Sequence, residues 1–190
     1  MSGYLSEFRT HWRPLLAATI GIGTGMSTAG TITSVLAPSL IAGNNWAKSD
    51  FAAVGILGLF STLAFPFIGR LADVLGVRWT ALIGQITLPL TYLAYATIMG
   101  GSLTVYMAIF VVQSVLAVTT TATVYSRLAV EFFVKSRGLA LAIVVSGSAI
   151  FGAIGGPILN NYVEANGWEA TYRALAMFAT LAAVVVFLLI

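Results

Sequence analysis

Gly69-Arg70-Leu71-Ala72-Asp73-Val74-Leu75-Gly76-Val77-Arg78-Trp79 is a short charged stretch between two long apolar ones. The runs on either side, 50–70 and 79–99, are each close to the roughly 20 apolar residues that cross a bilayer's hydrocarbon core as a helix. The stretch therefore reads as a tight connection between two membrane spans. Gly69 lets a neighbouring helix come close at the end of the first span. Gly76 suits a turn that other residues resist. Asp73 carries an acceptor-only carboxylate, suited to exposed amides at a helix N-terminus, where the dipole favours an anion.

Outward from this stretch, similar breaks fall at 43–50, 100–102, 135–138 and 163–169. The apolar runs between them are 14–42, 50–70, 79–99, 103–133, 137–162 and 169–190. The expected fold is an all-α membrane protein of six transmembrane helices. Composition agrees: 59% of the 190 residues are hydrophobic and only 8% are charged, against about 25% charged in soluble domains. A net charge of +3 on so apolar a chain does not suggest nucleic acid; the expected surroundings are the lipid bilayer. With no cysteine, disulfides, thiolate metal sites and cysteine nucleophiles are excluded. No metal site or cofactor is expected. Arg9, His11 and Arg13 precede an apolar run longer than a signal peptide's, so the first span is expected to be retained. The sixth run stops within apolar sequence at Ile190, and the natural protein is expected to continue.

Orientation follows from the basic residues. With the N-terminus inside, Arg9, Arg13, Arg70, Arg78, Arg127, Lys135 and Arg137 are cytoplasmic and only Lys48 and Arg173 lie outside. Positive loops stay on the inner side, so both ends of the chain are expected there, in the plasma or inner membrane. Trp12 and Trp79 then mark inner helix ends, and Trp46 and Trp168 outer ones, where indole rings settle. Glycines concentrate in the first and fifth runs and suit close helix packing in lipid. Pro38, Pro66, Pro89 and Pro157 are candidate kink sites.

The connection that opened this reading resembles the signature of the major facilitator superfamily, Gly-x-Leu-Ala-Asp-Arg-x-Gly-Arg-Arg-Arg. Gly69, Leu71, Ala72, Asp73, Gly76 and Arg78 match; Val74, Val77 and Trp79 depart. Its place after the second of six spans adds weight. The resemblance implies one half of a twelve-helix transporter, built from two inverted three-helix repeats and completed by a C-terminal half. It also implies that Asp73 latches the two halves on the cytoplasmic side, with Arg78 and Glu131 in a charge chain.

Phe133, Lys135 and Arg137, with Leu139 and Ala140, are similar to a helix 4–5 hinge motif of the monocarboxylate branch, from which Ser136 and Phe132 depart. Gly152-Ala153-Ile154-Gly155-Gly156-Pro157 partly resembles a drug–proton antiporter motif. The expected function is secondary transport of a small solute by alternating access, with a small organic anion such as a monocarboxylate as one class and a drug in exchange for protons as the other. A non-transporting scaffold and an ABC-type permease subunit are the readings from other classes.

The resemblance further implies that the first and fourth helices line a central cavity. Thr24, Thr28 and Thr31 share a face of the first by their spacing, and Gln113 and Thr120 a face of the fourth. The competing reading gives each threonine to its own helix carbonyls. Arg127 is the one basic group that reaches toward the cavity; snorkelling, or pairing with Glu131 one turn on, competes with an anionic solute. Enzyme function is not expected. The only histidine is His11, and Ser146 and Ser148 have no base near them. The aquaporin and potassium-filter motifs are absent as well.

Overall fold

The computed structural model describes residues 2–190, and side chains from residue 6 onward. Among the described residues the regular structure is entirely helical. The elements run α1 (Ser2–Thr10), α2 (Trp12–Gly23), α3 (Ala29–Asn44), α4 (Lys48–Ala52), α5 (Leu59–Thr97), α6 (Leu103–Leu116), α7 (Ala122–Phe132) and α8 (Arg137–Leu189). Short 3-10 segments at Met26–Thr28, Ala53–Gly58 and Ala117–Thr120 bridge α2 to α3, α4 to α5 and α6 to α7. Four stretches are long and apolar enough to cross a membrane: Trp12–Asn44, Lys48–Thr97, Leu103–Phe132 and Arg137–Leu189.

Two of these are too long to cross once. As straight rods α5 and α8 would measure about 58 and 80 Å at 1.5 Å per residue, against a hydrocarbon core of about 30 Å. Each turns at one glycine: Gly76 (φ 80°, ψ 167°) in α5 and Gly167 (φ 78°, ψ 173°) in α8. That region of backbone space is open essentially to glycine alone. The expected connections at 69–79 and 163–169 therefore shrink to single-residue corners. Arg70, Leu71 and Asp73 accept helical geometry, so helix runs up to the glycine and resumes after it.

The first and fourth apolar runs differ from expectation in the other direction, because each is interrupted. The chain is extended at Gly25 (φ −86°, ψ −158°) and at Thr121 (φ −91°, ψ 173°). The two interruptions meet. Met26 N–H donates to Thr120 Oγ1 at 2.9 Å, and a side chain at Gly25 would collide with Thr120. Threonine hydroxyls at the breaks bond back to their own preceding turn: Thr24 donates to Ile20 O (2.8 Å), Thr28 to Gly25 O (2.9 Å) and Thr121 to Val118 O (2.7 Å), each carbonyl also accepting the same threonine's N–H. Pro38, Pro66, Pro89 and Pro157, by contrast, all lie within helix. The sharp breaks fall at glycines and threonines instead.

Buried side chains form two clusters, one toward each end of the bundle. Ala18, Ile22, Ile68, Ala72, Val124 and Phe133 belong to the first. Leu36, Leu40, Tyr92, Tyr95, Tyr106 and Tyr172 belong to the second. Helix α5 starts near Phe51 and Val54 of the second cluster, reaches the first at Ile68 and Ala72, and returns to Tyr92 and Met99. Helix α8 runs from Ala140 and Val144 in the first cluster to Tyr172 in the second, then back to Val186. The corner at Gly76 thus lies at the first end and the corner at Gly167 at the second. Trp46 Nε1 donates to Gly101 O (2.8 Å), which joins two connections at the second end. Helices α2 and α8 pack closely enough that a side chain at Gly147 would strike the Thr19 carbonyl. Small residues permit such approach where lipid, not water, surrounds the bundle.

Candidate functional site

Asp73 and Arg127 meet at the first end. The Arg127 guanidinium holds the Asp73 carboxylate through Nη1 and donates from Nη2 to Gly69 O at 3.1 Å and from Nε to Thr123 O at 3.3 Å. One side chain on α7 thereby ties down both the acid and a carbonyl of the last turns before the Gly76 corner. Arg127 does not line the cavity described below; each of its three guanidinium nitrogens is engaged at the bundle end. Glu131, the partner weighed for it, is exposed. The expected charge chain does not assemble: Arg78 lies over the Phe187 ring, 4.5 Å from its centre. Asp73–Arg127 is the one ion pair among the described residues. Its side chains are 64% and 34% exposed, so it is worth about 0–1 kcal/mol. Its importance lies in geometry.

The hinge motif has a partner that the sequence did not disclose. Glu7, on α1, accepts from Lys135 N–H (Oε1, 3.0 Å), Ser136 N–H (Oε2, 3.0 Å) and the Ser136 hydroxyl (Oε2, 2.6 Å). These bonds favour the ionised form, led by the Ser136 hydroxyl, and lower the Glu7 pKa from 4.5 to about 2. Phe133 is fully buried against Phe8, with ring centres 5.1 Å apart, and the His11 ring lies tilted against Phe132 at 5.4 Å. Arg137 donates to Phe133 O (3.3 Å) and Val130 O (3.2 Å), closing the end of α7. A lone acidic residue 128 positions before its partner carries no local sequence signal.

A half-open cavity of about 450 Å³ lies between the α2–α3 stretch and the two arms of α8, with Tyr92 of α5 also lining it. Thr24, Thr28 and Thr31 line it, so the face expected of the first helix is turned toward this space. The Thr24 and Thr28 hydroxyls nevertheless spend their hydrogens on Ile20 O and Gly25 O. Gln113 and Thr120 do not line it. Gln113 Oε1 accepts from Tyr95 OH at 3.1 Å while its Nε2 is buried without a partner, and Thr120 holds the two helix interruptions together. Most of the remaining wall is aliphatic or aromatic, including Ile32, Phe151, Leu159 and Phe178. Sequence reasoning passed over Tyr92, a tyrosine in an apolar run. The available signal was general: a buried phenol usually finds a partner for its hydroxyl.

No group of three or more metal-ligating side chains exists among the described residues. No match to the chain is found among curated proteins. The family model described as Major Facilitator Superfamily matches residues 11–190. That match takes in the corner at Gly76, the Asp73–Arg127 pair and the whole cavity, and the chain belongs to the major facilitator superfamily.

Proposed function

We infer that the protein takes part in transport, in the broad sense that membership of a family of membrane transporters implies. We propose that the protein is a secondary carrier that moves a small solute by alternating access. On this reading the chain crosses the bilayer six times. Support comes from its passage between the two buried clusters, with reversals at Gly76 and Gly167. The end holding Glu7, Asp73, Arg127 and Lys135 is the cytoplasmic one, in keeping with the excess of basic residues there. A second six-helix half would close the open side of the cavity.

The observation that carries the proposal is the half-open cavity walled by α2–α3 and α8, which suits a site completed by a moving partner. The Asp73–Arg127 pair fixes the α5 corner to α7, so the surface that the partner half would meet is held as one unit. A small organic anion gains no support from the cavity wall, where no basic side chain stands. A largely apolar solute suits that wall better. Flux into proteoliposomes holding the full-length protein, with the second half that closes the cavity, tests the reading. Saturable uptake that Asp73→Asn slows is expected, whereas solute entry no faster than in protein-free vesicles across a broad solute panel would leave a scaffold as the better account.

A further inference from the structure

Helices α1 and α2 bring four exposed side chains into line at the first end of the bundle. The chain bends at His11 (φ −111°, ψ 29°). Helical bonds still cross the bend, from His11 N–H to Glu7 O (2.8 Å) and from Leu15 N–H to His11 O (3.4 Å). Spacings of three and four residues therefore set Arg9, Trp12, Arg13 and Leu16 along one face. All four are exposed, Trp12 by 49% and Leu16 by 41%. Another face of α1 is already spent: Glu7 holds the Lys135 and Ser136 amides, and Phe8 packs on Phe133. Arg9 is thus carried by a docked helix, which lowers the ordering cost of anything that binds it.

The acids at this end do not answer the two arginines. Glu7 is taken up by the α7–α8 connection and Asp73 by Arg127. Asp73–Arg127 is the one ion pair among the described residues, so Glu131 pairs with neither Arg9 nor Arg13. The Arg13 guanidinium lies 5.7 Å from the centre of the Trp12 ring, within the reach of a cation–π contact, and is steadied there. Residues one turn apart have Cβ atoms about 5–6 Å apart, so Arg9 and Arg13 can grip one phosphate between their forked donors. Arg70 is exposed too, but no second basic residue stands three or four positions from it.

Depth completes the match. Arg9 to Leu16 spans about 10 Å at 1.5 Å per residue, and a headgroup layer is roughly 5–8 Å deep on each side of the hydrocarbon core. Guanidinium, indole and aliphatic side chain follow one another in the order phosphate, glycerol ester and acyl chain. A free phosphate would leave Trp12 and Leu16 unused. We propose that Arg9, Trp12, Arg13 and Leu16 form a docking site for one anionic glycerophospholipid. Its phosphate sits between the two guanidiniums, its glycerol region against the Trp12 ring and an acyl chain along Leu16. On the orientation proposed above, that lipid belongs to the cytoplasmic leaflet, whose anionic headgroups attract basic residues. The site rests on the membrane placement of the bundle and does not require transport.

Brominated lipids quench a nearby indole and test this in nanodiscs holding the full-length protein. Trp12 emission is the difference between each protein and its Trp12→Phe counterpart. Phosphatidylglycerol and phosphatidylcholine are brominated in turn, at one low mole fraction, in otherwise identical mixed bilayers. Phosphatidylglycerol is expected to quench Trp12 more strongly, with a relative affinity of about fivefold for each arginine. Salt at about 0.5 M should shrink the preference, because exposed charges are screened. Arg9→Gln together with Arg13→Gln should level the two lipids while Trp12 remains quenched, and Arg70→Gln should leave the preference intact. Equal quenching by both lipids in the wild type would overturn the proposal. So would a preference that Arg70→Gln removes as fully as the double variant, since that describes the general field of the basic residues. An indole that neither lipid quenches is covered by protein, which overturns it too. Lipid preference at equilibrium needs no turnover. Failed flux would therefore leave this site standing, and equal quenching would leave the transport reading standing.

Discussion

An arginine 54 residues from Asp73 answers a carboxylate whose expected partner was the dipole of another helix. A partly exposed pair contributes about 0.2–1 kcal/mol, so Asp73→Asn and Arg127→Gln should each change thermal stability by less than about 1 kcal/mol. Transport should suffer more, because the pair orients the α5 corner against α7. A double-mutant cycle on transport rate checks this. The double variant is expected to be little worse than either single one, as for residues acting as a unit; losses that multiply would mean that the two side chains act separately. Asp73 itself was legible in the sequence because a motif surrounds it. Its partner was not. Arg127 could be set on the fourth apolar run, but the face that it presents depends on the interruption at Thr121, which comes from contact with Gly25 and Met26. Tyr92 was hidden for a similar reason, since a cavity wall becomes visible only once its neighbours are placed.

Among elements, the corners are the parts that sequence reading located best and shaped least well. A charged or polar interruption does not distinguish a loop from a bend of one residue, because Arg70, Asp73 and Glu164 all tolerate helix. Only the positive φ at Gly76 and Gly167 makes the difference. Gly76→Ala and Gly167→Ala should each destabilise the fold by about 1–3 kcal/mol, the range for residues held in such backbone regions. Neither added methyl meets another atom within 4 Å, so the loss would be conformational rather than steric. Gly155→Ala has the same open space without the positive φ and serves as the control in chemical denaturation. Helix α1 offers a second check. The Glu7 pKa is lowered from 4.5 to about 2, so ionised Glu7 favours docking. That contribution is complete above about pH 4.5 and is lost as the pH falls toward 2. Fluorescence of Trp12, the residue that opens α2, should change across that window. Glu7→Gln should remove most of the change; an unaltered titration would assign it to another carboxylate.

For the molecule as a whole, six membrane crossings with both chain ends inside remain the proposed arrangement, and the absence of cysteine makes it simple to test. Val74 is 74% exposed beside the Gly76 corner. A Val74→Cys variant should resist an impermeant maleimide in intact cells and react after the membrane is opened, whereas Asn45→Cys, in the α3–α4 connection, should react from outside. The reverse pattern would invert the orientation. Hydropathy alone makes the passages between ends readable, because lipid demands long apolar runs whatever their tertiary partners. It does not make readable where α2–α3 and α6–α7 are interrupted, because those breaks are set by two helices meeting. The corners also bear on how the chain is made. On the six-crossing arrangement, Gly76 and Gly167 leave almost no polar tether between the crossings that they join. A nascent second crossing has nowhere to wait in water while the third is synthesised, and the fifth stands in the same relation to the sixth. The insertion machinery must therefore accept each pair as a hairpin, and a ribosome halted shortly after either glycine leaves its hairpin half built.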